Sequence, residues 1–218
     1  CSSMYPSVDF ADGAASNSSL ITCWARFWRQ LQAHTAGPHT SPRWLSSTMA
    51  SGAWSVLRTT GDAPTPRGGH TSTLVEKNLL LMGGVVGAKA GTFEYFPLDP
   101  LVLNTETLAW FRPRVALGKG PIPRAYHTAT RVGSSLYVVG GQCSPKSMGC
   151  YTGVLGDMPV FDLVQMSWGT KDTRGKPPSA RYWHTAALLE GKLIIVGGFD
   201  GKKVRAPRNS AQLCPPRN

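Results

Sequence analysis

The feature that most constrains this chain is a pattern that returns at a fixed step. Arg-x-x-His-Thr stands at Arg67/His70/Thr71, at Arg124/His127/Thr128 and at Arg181/His184/Thr185, 57 residues apart both times. The pairs Gly83-Gly84, Gly140-Gly141 and Gly197-Gly198 keep the same step, as do Gly61/Gly118/Gly175, Pro64/Pro121/Pro178 and Leu79/Leu136/Leu193. Eight positions are therefore identical in three copies, a density that chance does not produce. A fixed period of this kind decides the architecture before any local propensity is weighed.

Within a copy the pattern is that of short strands. His127–Val132 alternates, Gly133-Ser-Ser135 makes a turn, and Leu136–Val139 is an apolar, β-branched run that stops at Gly140-Gly141. Met158–Leu163 gives a third run and Ser167–Thr170 a fourth. No 3.6-residue periodicity lies between them. Four short strands repeated at fixed spacing predict a propeller blade. Trp54, Trp110 and Trp168 sit ahead of the successive copies at steps of 56 and 58, which places small length changes in the loops.

The string Gly-x-x-Pro-x-x-Arg-x-x-His-Thr, then Leu and three apolar residues before Gly-Gly, then two apolar residues and Asp, then Trp, resembles the kelch repeat family. The long step is similar to kelch arrays of the host cell factor, Rab9-effector and tip-elongation type. The resemblance covers roughly residues 52–201 and implies an all-β, kelch-type propeller. Copy one departs from it at Leu103-Asn104, where copy two has Phe161-Asp162. The fold expected is partial: about two and a half four-stranded blades, near 61–111, 118–170 and 175–201, within a kelch region 49–201. Residues 1–48 are expected to form an irregular leader, with Met49 as the natural start, and 202–218 a basic, irregular tail. An open array of this kind is expected to need further blades or a second chain to close, or to aggregate.

The repeated residues are read as scaffold: Arg67, His70, Gly83, Gly84, Trp110, Arg124, His127, Gly140, Gly141, Trp168, Arg181, His184, Gly197 and Gly198. Arg and His are expected to satisfy buried carbonyls, and Trp to fill the wedge between blades. A residue present in every blade serves the blade, so the three His are not taken as catalytic or metal-binding, and no cofactor is expected. Kelch propellers that are enzymes resemble galactose-oxidase-type copper oxidases or iron-dependent specifier proteins. Only Cys143, Cys150 and Tyr151 stand near such a requirement. A ubiquitin-ligase adaptor would carry a BTB, BACK or F-box segment, and none is visible.

The resemblance implies a protein-interaction scaffold or adaptor that binds through loops on one propeller face. The variable loops supply Phe93, Tyr95, Phe96 and Tyr151 as aromatic anchors and Arg112, Arg114, Lys119, Arg174 and Lys176 as positive charge, the residue types that dominate hot spots. That loop charge suggests a partner protein with an acidic surface; the whole chain carries a net charge of +11. Residues 202–218 carry +5 of it with no acid, but no motif that reads nucleic acid appears. Five Cys at irregular spacing suggest no disulfide framework, although Cys143 and Cys150 could bridge within one loop if the protein were oxidised. Free thiols and a cytoplasmic or nuclear location are expected, with no membrane span.

Overall fold

Alternating runs on either side of a two-residue turn make a hairpin, and each unit of this chain is built on one. The computed structural model describes residues 44–48, 53–87, 92–116, 120–146, 152–171, 177–205 and 209–211. Strand β1 (Trp44–Thr48) pairs antiparallel with β2 (Ala53–Leu57) ahead of the first unit. The first unit holds β3 (Thr60–Gly61), β4 (Thr71–Val75), β5 (Asn78–Met82), β6 (Val85–Gly87), β7 (Phe93–Tyr95), β8 (Leu101–Asn104) and β9 (Ala109–Phe111). The second holds β10 (Thr128–Val132), β11 (Ser135–Val139), β12 (Gly141–Gln142), β13 (Val154–Leu155), β14 (Pro159–Asp162) and β15 (Ser167–Thr170). The third holds β16 (Tyr182–Leu189), β17 (Lys192–Phe199) and β18 (Asn209–Ala211).

The second unit is a four-stranded sheet in the order β10-β11-β14-β15, all antiparallel. The first repeats that order as β4-β5-β8-β9, with β3 added parallel to the outer strand. Register is preserved: Leu79 faces Leu103, and Leu136 faces Phe161. The small hairpins β6–β7 and β12–β13 project where the glycine pairs end the second strand. This is the all-β partial propeller the repeat implies.

Two segments expected to be irregular contain strands. β1 lies inside 1–48, and β18 lies inside 202–218. In β18, Ala211 pairs with Leu193, the register that Phe161 takes on Leu136 in the second unit. The open edge of β17 supplies a ladder of backbone groups, and pairing along it outweighs weak local β-propensity.

Alternation sends the two faces of each sheet into different cores. Leu80, Met82 and Val102 of the first unit meet Leu136, Val138 and Phe161 of the second. Tyr137, Val139 and Val160, on the opposite face of the second unit, meet Leu193 and Ile195 of the third. Trp168 packs on the first of these cores, between the first two units. Each such buried side chain contributes about 1.5–3 kcal/mol, so the cement lies between units as much as within them.

The outward face of the third unit carries Trp183, Leu189 and Val196, which are 61%, 57% and 43% exposed. Their counterparts one step back, Tyr126, Val132 and Val139, face the third unit. The double substitution Leu189→Ser with Val196→Ser is expected to reduce self-association in sedimentation velocity while moving the melting midpoint little, because neither side chain is buried. Unchanged association would show that copies do not meet through this face.

Candidate functional site: the loop end of the units

The repeated Arg, Gly-Gly and His converge where the connection between units meets the end of the second strand. Arg67, Arg124 and Arg181 each donate from Nη1 to a glycine carbonyl sixteen residues on, Gly83, Gly140 and Gly197, at 3.1, 3.0 and 2.9 Å. The glycines are required there. Gly140 has φ 56°, and a Cβ on it would stand 2.4 Å from the carbonyl oxygen of Arg181, closer than any side chain tolerates. In turn the amides of Gly84 and Gly141 donate to the carbonyls of Arg124 and Arg181 in the next unit, at 2.9 and 2.8 Å.

The histidines do a different task from the one expected. His127 Nε2 bonds Thr71 Oγ1 at 3.0 Å, and His184 Nε2 bonds Thr128 Oγ1 at 2.9 Å. His127 and His184 therefore tie their units to a hydroxyl of the unit before, and not to a carbonyl. Both ring nitrogens of His70 are buried, and among the described residues no hydroxyl bonds them as Thr71 and Thr128 bond His127 and His184. Burial, with Arg124 next, pushes His127 down to about 3. Burial first and the neighbouring repeat Arg second push His70 and His184 down to about 4; the Arg67 carbonyl opposes this at His70. All three rings are neutral at neutral pH.

The arginines are not equivalent. Arg124 is fully buried and also makes a two-pronged ion pair with Asp157, at 2.6 and 2.7 Å. Arg67 is half-buried, donates to the carbonyl and hydroxyl of Thr65 at 3.2 and 3.3 Å, and lies 3.8 Å over the ring of Phe96. The backbone place of Asp157, whose carbonyl accepts from Gly140 at 3.1 Å, is taken in the first unit by Pro97, whose carbonyl accepts from Gly83 at 3.0 Å. Asp99 instead accepts from Trp168 Nε1 at 3.0 Å. Burial, with Arg112 next, holds Arg67 down to about 10.

Of the candidate binding residues, Phe93 and Tyr95 share one side of β7, and Phe93 is 64% exposed. Burial, with Tyr126 and Tyr182 next, raises the Tyr95 hydroxyl, which places those two phenols within electrostatic reach of it. Trp183 meets Tyr126 and Tyr182 edge-on at 5.5 and 4.9 Å between ring centroids, and the two Tyr rings are tilted at 6.4 Å. Sequence reading missed these three. Their signal is the variable pair inside Arg-x-x-His, where Tyr126 and Trp183 stand at the place of Gly69. Both take φ 58°, and their amides donate one step back, Tyr126 to Gly69 and Trp183 to Tyr126.

Arg112 leaves β9 at this loop end, because Phe111 faces Val102 and the strand runs toward the glycine pair. Arg114 does not stay there. The amide of Ala116 bonds Met166 in the β14–β15 turn at the far end of the sheet, so the connection descends past it. Lys119, Tyr151, Arg174 and Lys176 lie outside the described residues. The oxidase reading rested on Cys143, Cys150 and Tyr151. Cys143 is buried and disulfide-bonded, which corrects the expectation of free thiols; the other cysteines lie outside the described residues. Among the described residues no group of three or more His, Cys, Asp or Glu could hold a metal ion, and no helix is long and apolar enough to cross a membrane.

The Asp of the repeat has a local purpose. Asp162 Oδ1 accepts from the amides of Val164 and Gln165, both at 2.8 Å, closing the turn into the fourth strand. Asn104 accepts from Glu106 and Thr107 at 3.0 and 2.9 Å. Asn is therefore a working substitute in the first unit, since either side chain can form this turn.

Known proteins share this arrangement. The chain is 31% identical over 169 residues to host cell factor of Drosophila melanogaster, covering 69% of this chain and 10% of that protein. It is 31% identical over 185 residues to acyl-CoA-binding domain-containing protein 5 of Arabidopsis thaliana, covering 84% of this chain and 26% of that one. It is 38% identical over 101 residues to the Rab9 effector protein with kelch motifs of Bos taurus, covering 46% and 26%. The chain thus spans 10–26% of the length of these relatives. The solved structure of YjhT superposes with a TM-score of 0.56 at 17% identity, over 72% of this chain and 51% of that one, which shows the shared fold. The model of the KLHDC2/KLHL20/DRC7 kelch-repeats domain matches residues 28–208, reaching into both segments read as leader and tail, and this chain belongs to that kelch-repeat family.

Proposed function

We propose that this chain is a protein-interaction scaffold that grips another protein, one with an acidic surface, through the loop end of its units. The observation that carries this reading is the hairpin β6–β7. It sets Phe93, 64% exposed, beside Tyr95 and next to the Tyr126, Tyr182 and Trp183 cluster, with Arg112 at the same end. Exposed aromatics grouped with Arg are the composition of an interface centre. The name of the Rab9 effector relative describes a protein that acts through a partner, in keeping with a binding role. The oxidase and ligase-adaptor readings have no observation among the described residues in their favour.

The test is capture of partners from a lysate with the full chain and with Phe93→Ala/Tyr95→Ala. The variant is expected to keep its melting midpoint and to lose most of at least one captured species, since central anchors cost 2 kcal/mol or more when truncated. An identical set and yield of captured proteins would remove this face as the binding surface.

A further inference from the structure

The second unit shows how the repeat Arg is normally neutralised, and the first unit lacks the neutralising group. A guanidinium carries five N–H donors. Arg124 uses Nε on the Ile122 carbonyl, one Nη1 donor on Gly140, and its outer fork on both oxygens of Asp157. Arg67 uses Nε on Thr65, one Nη1 donor on Gly83 and one Nη2 donor on the Thr65 hydroxyl. One donor on Nη1 and one on Nη2 remain, the two nitrogens that hold Asp157 in the second unit. Among the described residues nothing accepts from them.

The absence has a cause in the chain. The end of the loop between the second and third strands is built differently in the first unit: three residues, 98–100, separate this place from the third strand, where Met158 alone does so in the second. It brings Pro97 to the backbone place of Asp157 and turns Asp99 away to Trp168. Phe96 covers one flat side of the Arg67 guanidinium and leaves the edge of the fork uncovered. Asp157 itself is 47% exposed, so the equivalent place beside Arg67 is at the protein surface. Arg112 stands nearby with a second positive charge, and Phe93 and Tyr95 offer apolar contact on the same hairpin.

We infer that the Arg67 fork is a carboxylate-binding site, taking a Glu or Asp side chain of an extended acidic segment of the partner protein as Arg124 takes Asp157. The inference rests on the loop-end reading above and names the group that reading would recognise. Planar, two-pronged recognition is what Arg supplies and Lys does not. A repeat residue that is scaffold in one unit thereby becomes a recognition residue in another.

The probe is a fluorescein-labelled hexaglutamate peptide titrated against the full chain by anisotropy. Wild type is expected to bind, Arg67→Lys to bind roughly tenfold more weakly, and Arg114→Gln, which removes one charge from a segment leading away from the site, to change affinity less than about twofold. Pro97→Asp restores the missing internal carboxylate and is expected to lose binding by about tenfold or more while its melting midpoint holds or rises. No binding by wild type, or equal binding by wild type and Arg67→Lys, overturns the site. So does equal binding by a folded Pro97→Asp. If lysate capture then still depends on Phe93 and Tyr95, only the carboxylate site has failed and the loop-end reading stands.

Discussion

Arg124→Met is expected to destabilise the chain by about 2–4 kcal/mol, the cost of leaving two carbonyls at the junction without a donor, with the ion pair to the half-exposed Asp157 adding less. Arg124 is fully buried, and three of its nitrogens hold the Ile122 carbonyl, the Gly140 carbonyl and Asp157. Met fills much of the space but supplies no donor, so the Gly140 carbonyl loses its partner at the junction of two units. Domains are stable by only about 5–15 kcal/mol, so a loss of that size is a large share of the total. Arg67→Met should cost less, about 1–2 kcal/mol, because it gives up hydrogen bonds to Gly83 and Thr65 and no ion pair. Urea unfolding of the two variants checks both. Equal losses would mean that the Asp157 pair adds nothing to the junction.

That contrast bears on what could be read without coordinates. The architecture was legible because its causes are local and recur: the glycine pair must turn, the alternating runs must pair, and Trp168 must fill a wedge. Three copies expose those requirements at once. The difference between Arg67 and Arg124 was not legible, since both stand in an identical Arg-x-x-His-Thr. It arises from a loop end built differently thirty residues downstream, which puts Pro97 where Asp157 would be. The partner of each His was hidden for a similar reason. Thr71 and His127 are 56 residues apart, and the repeat shows that both recur without showing that they touch across units. Strand β18 was missed because its pairing comes from the edge of β17 and not from its own sequence. Tyr126 and Trp183 carry no repeat signal, since they stand where Gly69 stands in the first copy, and recognition collects in what varies within a repeat.

Mild acid is expected to separate the units, with the loss beginning well above the range in which carboxylates titrate. His70, His127 and His184 have ordinary values of 6.5 when unfolded and are held down to about 4, about 3 and about 4 when folded. A His with a lowered folded value binds its proton more readily in the unfolded chain. Its stabilising contribution is therefore complete above pH 6.5 and is lost as pH falls from there toward the folded value. Each unit of pH in that window costs about 1.4 kcal/mol per His, so three together approach on the order of 4 kcal/mol per unit. Asp162 and Asp200 are lowered by backbone amides, and what they contribute is lost only as pH falls below about 3.8. Between pH 6.5 and 4.5 the slope thus belongs chiefly to histidine. Protonation also opposes the arrangement physically, because it puts charge on a ring beside Arg124 and leaves the Nδ1 atoms of His127 and His184 buried without an acceptor. Urea midpoints measured across that window should fall steeply for wild type. They should fall less for His127→Gln, which gives up one titrating group and can still reach toward the Thr71 hydroxyl. A flat wild-type profile down to pH 4.5, or the same slope in His127→Gln, would show that the Thr–His ties between units do not govern stability.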